Sequence, residues 1–307
     1  TGSCVVSVTG DRTVTASFTL NTYLLTVGKP ANGTIQTWDA ASGGSYLSAG
    51  GVNCGSDCSE TVLHGATVHL KAVETTPGYV FSSWTGACAS QGQICTLDTT
   101  TGSVTVGAVF TITTVSLTVL GDGISNELVG GSVTGLAFSC ADGATCTTKS
   151  YDYGTVVTLT ANPSVGYDFV NWDADSDCDS TSDLTCTVTM TGADKTVTAH
   201  FALETYLVTV QKPAHGTIES SDLTPAIDCG PTTSVCTGNA TYGDAIDFTF
   251  TADEGYDLAA WSGACSGTGS CGIDPVTGPI TVGATTSVEN RTLTVRGDGG
   301  VGGDKLT

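Results

Sequence analysis

Apolar and polar positions alternate along the chain in short runs, and these runs predict β-strands. In residues 156–160 (VVTLT) and 197–201 (VTAHF) the apolar side chains fall on one face, as in an antiparallel strand with one buried side. Turn sequences such as 29–33 (KPANG) and 121–123 (GDG) separate the runs. No segment keeps a 3.6-residue apolar period over three turns, so the pattern predicts an all-β protein.

The strand pattern is repeated along the chain. Leu25-Thr26-Val27 recurs, exactly or with Val for Leu, after 92, 91 and 85 residues, and a Gly-Tyr pair six residues before Trp84 recurs before Trp172 and Trp261. In the second copy, strands are predicted at 115–119, 131–134, 155–160, 167–172, 185–190 and 196–201. The predicted divisions are 1–21 (end of a truncated repeat), 22–113 (repeat 1), 114–204 (repeat 2), 205–290 (repeat 3) and 291–307 (start of a further repeat).

The boundaries between repeats contain almost no linker. Residues 196–210 and 106–119 run from one predicted strand into the next without Pro, and no glycine-rich tether intervenes. We therefore expect neighbouring repeats to form a stiff linear array, since such junctions lack the freedom of a Gly/Ser linker. Residues 1–4 (TGSC) match 268–271, so we also expect the chain to be a section of a longer repetitive protein.

Composition narrows the function. The chain has 307 residues with a formal net charge of -21, and 13% of its residues are charged. Lys and Arg total only 9, against 30 Asp and Glu. This excess of negative charge argues against nucleic-acid binding and against attraction to an anionic membrane. No apolar run is long enough to predict a membrane-spanning helix, so no membrane insertion is expected. Thr, Val and 40 Gly are typical of strands joined by tight turns.

Thirteen cysteines favour an oxidising, extracellular location. Twelve of them fall as four per repeat, in two close pairs whose intervening loops vary in length from copy to copy. Local disulfides are therefore favoured, and a four-thiolate zinc site is the alternative, although no Cys-x2-Cys knuckle is present. Cys4 has no partner in the sequence; it is expected to pair with a preceding residue or with another chain. The favoured pairs are Cys54–Cys58, Cys88–Cys95, Cys140–Cys146, Cys178–Cys186, Cys229–Cys236 and Cys265–Cys271.

Together, several of these segments resemble the divergent InlB-type B-repeats of bacterial surface proteins. They are 33–35 (GTI), 54–60 (CGSDCSE), 78–88 (GYVFSSWTGAC) and 261–271 (WSGACSGTGSC). The resemblance covers essentially the whole chain. It implies small tandem β domains, sandwich-like or β-grasp-like, that serve as stalks, spacers or adhesive regions, and it implies no catalytic residues.

Three groups of residues are candidates for chemistry. Asp173, Asp175, Asp177 and Asp179 alternate as at the start of a calcium loop, but the Gly and Glu that an EF-hand needs are missing, so a solvated acidic loop is the competing interpretation. The recurring Trp84, Trp172 and Trp261 are predicted to be core residues, whereas Trp38 is predicted to be exposed. The four histidines, His64, His69, His200 and His215, occupy unrelated repeat positions.

The sequence thus predicts an extracellular structural repeat protein, a rigid rod, stalk or fibre at a bacterial surface, and not an enzyme. Its expected partners are adjacent repeats of the same chain and, through exposed strand edges, other copies. The alternative is an adhesive module that binds a glycan or host surface through the variable loops around residues 38–51 and 173–183.

Overall fold

The computed structural model describes residues 2–39, the backbone of 45–46, and residues 51–173 and 177–296. In these ranges the regular secondary structure is β-strand, and no helix is long and apolar enough to cross a membrane. The chain divides into two compact units. One comprises Thr1–Ser116, Ser150–Val156 and Thr189–Asp194, and the other comprises Leu117–Lys149, Val157–Val188 and Lys195–Thr307.

Repeat 1 lies within the first unit and forms two four-stranded sheets, with strand orders β4-β1-β8-β6 and β3-β2-β5-β7. Its strands are β1 (Thr22–Val27), β2 (Gly33–Asp39), β3 (Ser45–Tyr46), β4 (Ser59–Leu63), β5 (Thr67–Glu74), β6 (Tyr79–Gly86), β7 (Ile94–Asp98) and β8 (Val104–Ile112).

Repeat 2 contributes residues to both units and again forms two sheets, ordered β12-β9-β16-β14 and β11-β10-β13-β15. The short strands β11 and β12 were not among the strands predicted from the pattern. The strands are β9 (Thr114–Leu120), β10 (Gly131–Gly135), β11 (Phe138–Cys140), β12 (Lys149–Asp152), β13 (Val156–Pro163), β14 (Tyr167–Trp172), β15 (Thr185–Thr189) and β16 (Lys195–Leu203).

Repeat 3 lies within the second unit, and its sheets are ordered β21-β17-β25-β23 and β20-β19-β18-β22-β24. Its strands are β17 (Thr205–Val210), β18 (Thr217–Ser220), β19 (Ile227–Cys229), β20 (Ser234–Val235), β21 (Thr237–Thr241), β22 (Ile246–Thr251), β23 (Tyr256–Gly263), β24 (Cys271–Ile273) and β25 (Ile280–Val288).

In repeats 1 and 3, the two sheets enclose one apolar core. In repeat 1, Leu25 of β1 and Ile35 of β2 belong to the same buried cluster, and in repeat 3 Val208 of β17 and Ile218 of β18 do. Burying a side chain of this size contributes about 1.5–3 kcal/mol. Because the apolar side chains alternate along each strand, they all face the opposite sheet, and their burial holds the two sheets together. The prediction of tandem, all-β, small antiparallel domains is confirmed, and each repeat forms a sandwich of two sheets.

Each repeat also contains one parallel strand pair, formed by its first and last strands. In repeat 1, Leu25 of β1 lies opposite Val104 of β8, while the flanking pairs β1–β4 and β6–β8 are antiparallel. Three residues of β1 precede that pair and eight residues of β8 follow it. At about 3.3 Å per residue, the chain therefore leaves repeat 1 about 36 Å beyond its entry along the strand direction. The first and last strands have the same register in the other repeats: Leu117 lies opposite Lys195 in repeat 2, and Val208 lies opposite Ile280 in repeat 3.

Candidate functional site

Six disulfides close short loops, each within one of the close cysteine pairs favoured by the sequence. Cα–Cα distances range from 4.3 to 5.6 Å, within or close to the usual span of a disulfide. Cys4 is exposed and free. The bonds join Cys54 to Cys58, Cys88 to Cys95, Cys140 to Cys146, Cys178 to Cys186, Cys229 to Cys236 and Cys265 to Cys271.

The recurring tryptophans tie these loops to the core. Trp84, Trp172 and Trp261 are buried, at 3%, 0% and 5% exposure. Each Nε1–H donates to a backbone carbonyl oxygen inside the disulfide loop that follows: to Gly92 at 2.6 Å, Asp183 at 2.9 Å and Gly269 at 2.8 Å. A buried indole N–H needs such a partner, so each hydrogen bond fixes the disulfide loop to a core side chain.

In the acidic loop of repeat 2, Asp177 and Asp179 hydrogen-bond to strands of both sheets, β16 and β15. Asp177 Oδ1 lies 3.0 Å from Lys195 Nζ, and its Oδ2 accepts a backbone N–H at 3.0 Å. Asp179 Oδ1 accepts the Thr187 N–H at 2.7 Å. Asp173 has interactions of its own, and Asp175 lies outside the described residues. Among the described residues, no group of three or more His, Cys, Asp or Glu side chains could hold a metal ion.

Asp142 fastens another disulfide loop, the one closed by Cys140 and Cys146. Its Oδ2 accepts the Ser164 hydroxyl at 2.6 Å, and its Oδ1 accepts the Gly130 N–H at 2.9 Å. The Ser164 hydrogen bond, helped by backbone N–H groups, lowers the pKa of this carboxyl, while desolvation acts in the opposite direction. The carboxylate therefore stabilises the loop in its ionised form.

The four histidines serve four separate contacts. His200 Nδ1 lies 2.6 Å from Asp122 Oδ1, and His69 Nδ1 lies 3.0 Å from the Thr96 hydroxyl oxygen. The other two contact tyrosines: the His64 ring lies tilted against Tyr23, and the His215 ring stacks on Tyr256. The structure brings no two of the histidines together as a shared site.

The junction between repeats 1 and 2, which lies within the first unit, is built on one residue. Thr113 alone separates β8 from β9. Its N–H and its hydroxyl both donate to the Gly78 carbonyl oxygen, at 2.7 and 2.9 Å, and its own carbonyl accepts the Tyr153 N–H at 2.9 Å. The Tyr153 ring covers Gly78, where a Cβ would lie 2.2 Å from the ring. Gly78 has φ +80°, so glycine meets both the backbone and the space requirement.

The junction between repeats 2 and 3, within the second unit, has the same construction. Glu204 alone separates β16 from β17; its N–H donates to the Gly166 carbonyl at 2.8 Å and its carbonyl accepts the Tyr242 N–H at 2.9 Å. The Tyr242 ring covers Gly166. Here the Tyr206 hydroxyl also donates to Glu204 Oε2. That hydrogen bond, with desolvation and the nearby negative charge, raises the pKa of Tyr206 to about 12.

We call these two arrangements the glycine–tyrosine joints: Gly78, Thr113 and Tyr153 in one, Gly166, Glu204 and Tyr242 in the other. The recurring Gly-Tyr motif identifies Gly78 and Gly166, but it does not identify the tyrosines that cover them. The available signal was a second dipeptide, Tyr-Gly, at 153–154 and 242–243, with His64-Gly65 at the same repeat position.

A third glycine has the same geometry without an aromatic cover. Gly255 has φ +83° and accepts the Glu289 N–H at 2.9 Å, as Gly166 accepts that of Glu204. No heavy atom lies within 4 Å of a Cβ built on Gly255. The covered and uncovered glycines therefore differ in the tyrosine and not in the backbone conformation.

Trp38 stands apart from the buried tryptophans. It is half-buried, and the ammonium group of Lys71 lies 4.2 Å from its ring centroid, which is a cation–π contact. Trp38 was predicted to be exposed; it is half-buried instead, although more exposed than the other three tryptophans. It borders a cavity of about 210 Å³.

Tandem disulfide-bonded β sandwiches joined without linkers define the class of this protein. The chain belongs to the divergent InlB B-repeat domain family, whose model matches residues 40–114, 129–205 and 206–289. The resemblance inferred from the sequence is thereby confirmed. No curated protein sequence matches the chain.

Three solved structures are similar to parts of it. The Bacillus anthracis TIE protein is 8% identical, with 87% of this chain and 51% of that chain covered and a TM-score of 0.48. The pilus adhesin SpaC from Lactobacillus rhamnosus GG is 10% identical over 88% and 44%, with a TM-score of 0.28. The minor pilin GBS52 of Streptococcus agalactiae is 9% identical over 60% and 99%, with a TM-score of 0.22. The chain thus spans about half the length of the first two.

Proposed function

We propose that this chain is a stiff spacer segment of an extracellular bacterial surface protein, with no catalytic role. The observation that carries the proposal is the glycine–tyrosine joint, present in the same form at two repeat boundaries. A boundary of one residue, bonded on both sides and covered by an aromatic ring, supports a fixed step from one repeat to the next. A flexible tether would have none of these contacts.

Two further features support the same role. The offset of first and last strands carries the chain about 36 Å forward in each repeat, so three repeats in line would reach about 110 Å. The six short disulfide loops and the charge of -21 suit a protein that works outside the cell and stays soluble there. Its partners in this proposal are the adjacent repeats of the same chain and, at strand edges, further copies that would extend a fibre.

Small-angle X-ray scattering without reducing agent tests the proposal. The matched variant carries a Gly-Ser-Gly-Ser insertion after Thr113 and another after Glu204, which separates the repeats without touching their cores. We expect the wild-type chain to scatter as a narrow particle about 110 Å long. The insertion variant should give a broader distribution of distances.

A compact wild-type particle, or equal breadth for the two chains, would contradict the stiff spacer. Electron microscopy of the native secreted material distinguishes two versions of the spacer proposal, a fibre and a stalk. Continuous fibres of constant width would indicate self-association through strand edges, whereas single thin projections would indicate a stalk.

A further inference from the structure

The exit end of repeat 3 carries half of a third glycine–tyrosine joint. Gly255 has φ +83°, and its carbonyl oxygen accepts the Glu289 N–H at 2.9 Å, as the Gly166 carbonyl accepts that of Glu204. Among the described residues, no heavy atom lies within 4 Å of a Cβ built on Gly255, and no backbone N–H donates to the Glu289 carbonyl oxygen. In the two complete joints the equivalent carbonyl accepts a tyrosine N–H. We call Gly255, Val288 and Glu289 the Gly255 half-joint.

The apolar residue of this half-joint is less covered than its equivalents. Val288 ends β25 and is 69% exposed. At the two complete joints, the residues in the same position are Leu203, which is 41% exposed, and Ile112, which is half-buried. Covering an exposed valine removes apolar surface from water, which stabilises the covered state. The exit end of repeat 3 therefore offers both backbone groups and apolar surface to a following repeat.

The entry end of repeat 1 carries the other half of such a joint. The Asn21 carbonyl oxygen accepts the His64 N–H at 2.8 Å, and the following Gly65 has φ +79°. At the second complete joint, Tyr242 makes the same backbone hydrogen bond, and Gly243 has φ +87°. His64 is exposed, whereas Tyr242 is half-buried. The aromatic–glycine turn therefore forms without a glycine partner, so a repeat brings it to a joint already folded and loses little conformational entropy on docking.

The backbone of the joint decides what can occupy the Gly255 half-joint. In both complete joints one residue donates to the glycine carbonyl and also accepts the tyrosine N–H. A second copy docked in the same geometry would have to place its Asn21 where Glu289 already stands, so the two residues would collide. A repeat that continues the chain from Glu289 meets no such conflict. Residues 293–295 (LTV) already repeat the first-strand sequence of residues 25–27.

We propose that Gly255 receives the ring of an aromatic residue from a repeat that continues this chain. Glycine follows this aromatic residue, and its N–H donates to the Glu289 carbonyl oxygen. The ring comes 40 residues after the strand-end residue in the first joint and 38 in the second, and His64 comes 43 residues after Asn21. The partner therefore lies 38–43 residues after Glu289, beyond residue 307. The proposal rests on the spacer function, since it names the next partner of the same kind of joint.

An extended chain tests the proposal. Residues 290–307 are replaced by a second copy of residues 205–289, so that the appended Tyr242 follows Glu289 by 38 residues. A proton that faces an aromatic ring resonates upfield, so the measurement is the α-proton NMR signal of Gly255 in glycine-labelled protein. We expect this signal to lie upfield in the extended chain relative to the 307-residue chain.

Gly166 and two matched variants are the controls. In the 307-residue chain, Tyr242→Ala should move the Gly166 signal downfield, which calibrates the effect of a covering ring. In the appended repeat, Tyr242→Phe keeps a ring and should keep the upfield Gly255 signal. Tyr242→Ala in the appended repeat should return that signal to its value in the 307-residue chain. The appended Trp261 indole N–H, which is hydrogen-bonded in the folded repeat, gives the signal that establishes folding.

The proposal is overturned if the Gly255 signal is the same in the 307-residue and extended chains, or if it stays upfield in the appended Tyr242→Ala variant. The native polypeptide gives a second test. A residue sequence without an aromatic–glycine pair 38–43 residues after Glu289, or a native chain that ends before that position, also overturns it. The scattering experiment measures only the two complete joints. A flexible 307-residue chain would therefore contradict the spacer without moving the Gly255 signal, and an unmoved Gly255 signal would leave the scattering result as it is.

Discussion

The ring of Tyr242 lies so close to Gly166 that a Cβ atom on residue 166 would be 2.2 Å from Tyr242 Cδ1. This contact joins residues of repeat 2 and repeat 3 within one compact unit. Gly255 has the same φ of +83° and the same type of backbone hydrogen bond but no covering ring. Comparing Gly166 with Gly255 therefore separates the effect of packing against the tyrosine ring from the effect of backbone strain.

Gly166→Ala should destabilise the chain more than Gly255→Ala does. Both substitutions place alanine in the left-handed region, at about 1–2 kcal/mol. Only Gly166→Ala also displaces a tyrosine ring, which adds about 1–3 kcal/mol of overpacking. Urea unfolding of the two variants measures the difference. Equal losses would mean that the Tyr242 contact contributes nothing to the second joint.

Alkaline pH should weaken the second joint as the pH rises from 10 to about 12. The hydrogen bond to Glu204 raises the pKa of Tyr206 to about 12, above the ordinary value of 10.0. The neutral tyrosine therefore contributes stability that is fully present below pH 10 and is lost as the pH rises to about 12. We expect Tyr206→Phe to reduce the slope of the free energy of unfolding against pH in that window.

Tyr23→Phe is the control for that experiment. Tyr23 occupies the same repeat position as Tyr206, but the uncharged Asn21 stands where repeat 3 has Glu204. Tyr23→Phe therefore removes a tyrosine hydroxyl at the same repeat position without removing a hydrogen bond to a glutamate. A slope that falls equally in both variants would assign the effect to tyrosine ionisation in general.

Acid should release the loop that Asp142 fastens. Its pKa lies below the ordinary 3.8, chiefly through the Ser164 hydroxyl, so its contribution is present above that value and is lost as the pH falls through the lowered pKa. At neutral pH, Asp142→Asn should cost no more than about 1 kcal/mol, because the carboxylate is exposed and screened by solvent.

A double-mutant cycle checks this assignment. Ser164→Ala should cost a similar amount, and the Asp142→Asn, Ser164→Ala double variant should cost less than the sum of the two single changes. Additive losses would show that the 2.6 Å hydrogen bond between the two side chains is not the source of the effect.

Each local disulfide should contribute modestly to stability. Closing a loop of the size between Cys140 and Cys146 is worth about 2 kcal/mol through the entropy of the unfolded chain. The Cys140→Ala, Cys146→Ala double variant should lower the free energy of unfolding by about that amount under non-reducing conditions. Cys4→Ala, which removes the exposed free thiol, should change nothing. An unchanged value for the double variant would exclude a stabilising role for this loop closure.

The sequence was sufficient for the class of fold because alternation and burial are local properties. Val157, Leu159 and Ala161 are apolar, alternate along β13 and are all buried. Pairing of distant strands was beyond such reasoning: Leu25 lies opposite Val104, 79 positions later, and no local pattern encodes the partner. Strands of two or three residues, such as β11 and β19, are too short to show a period.

The candidate sites divide in the same way. Trp172 was predictable as a core residue from its recurrence, but its hydrogen bond to Asp183 depends on how a variable loop closes. The partnership of Gly166 with Tyr242 spans 76 positions and two repeats, so each residue alone appears as an ordinary turn residue. Thr37 is one of many threonines, and only the structure distinguishes its unpaired hydroxyl.

The shared register of the first and last strands has a consequence for how such proteins change in evolution. Each repeat carries the chain forward by the same eleven strand residues, so gaining or losing a whole repeat would alter reach by a fixed increment. Inserting a single residue at Thr113 or Glu204 would instead turn the next strand over, because successive side chains alternate between faces. In the proposed spacer, length would therefore change in whole repeats.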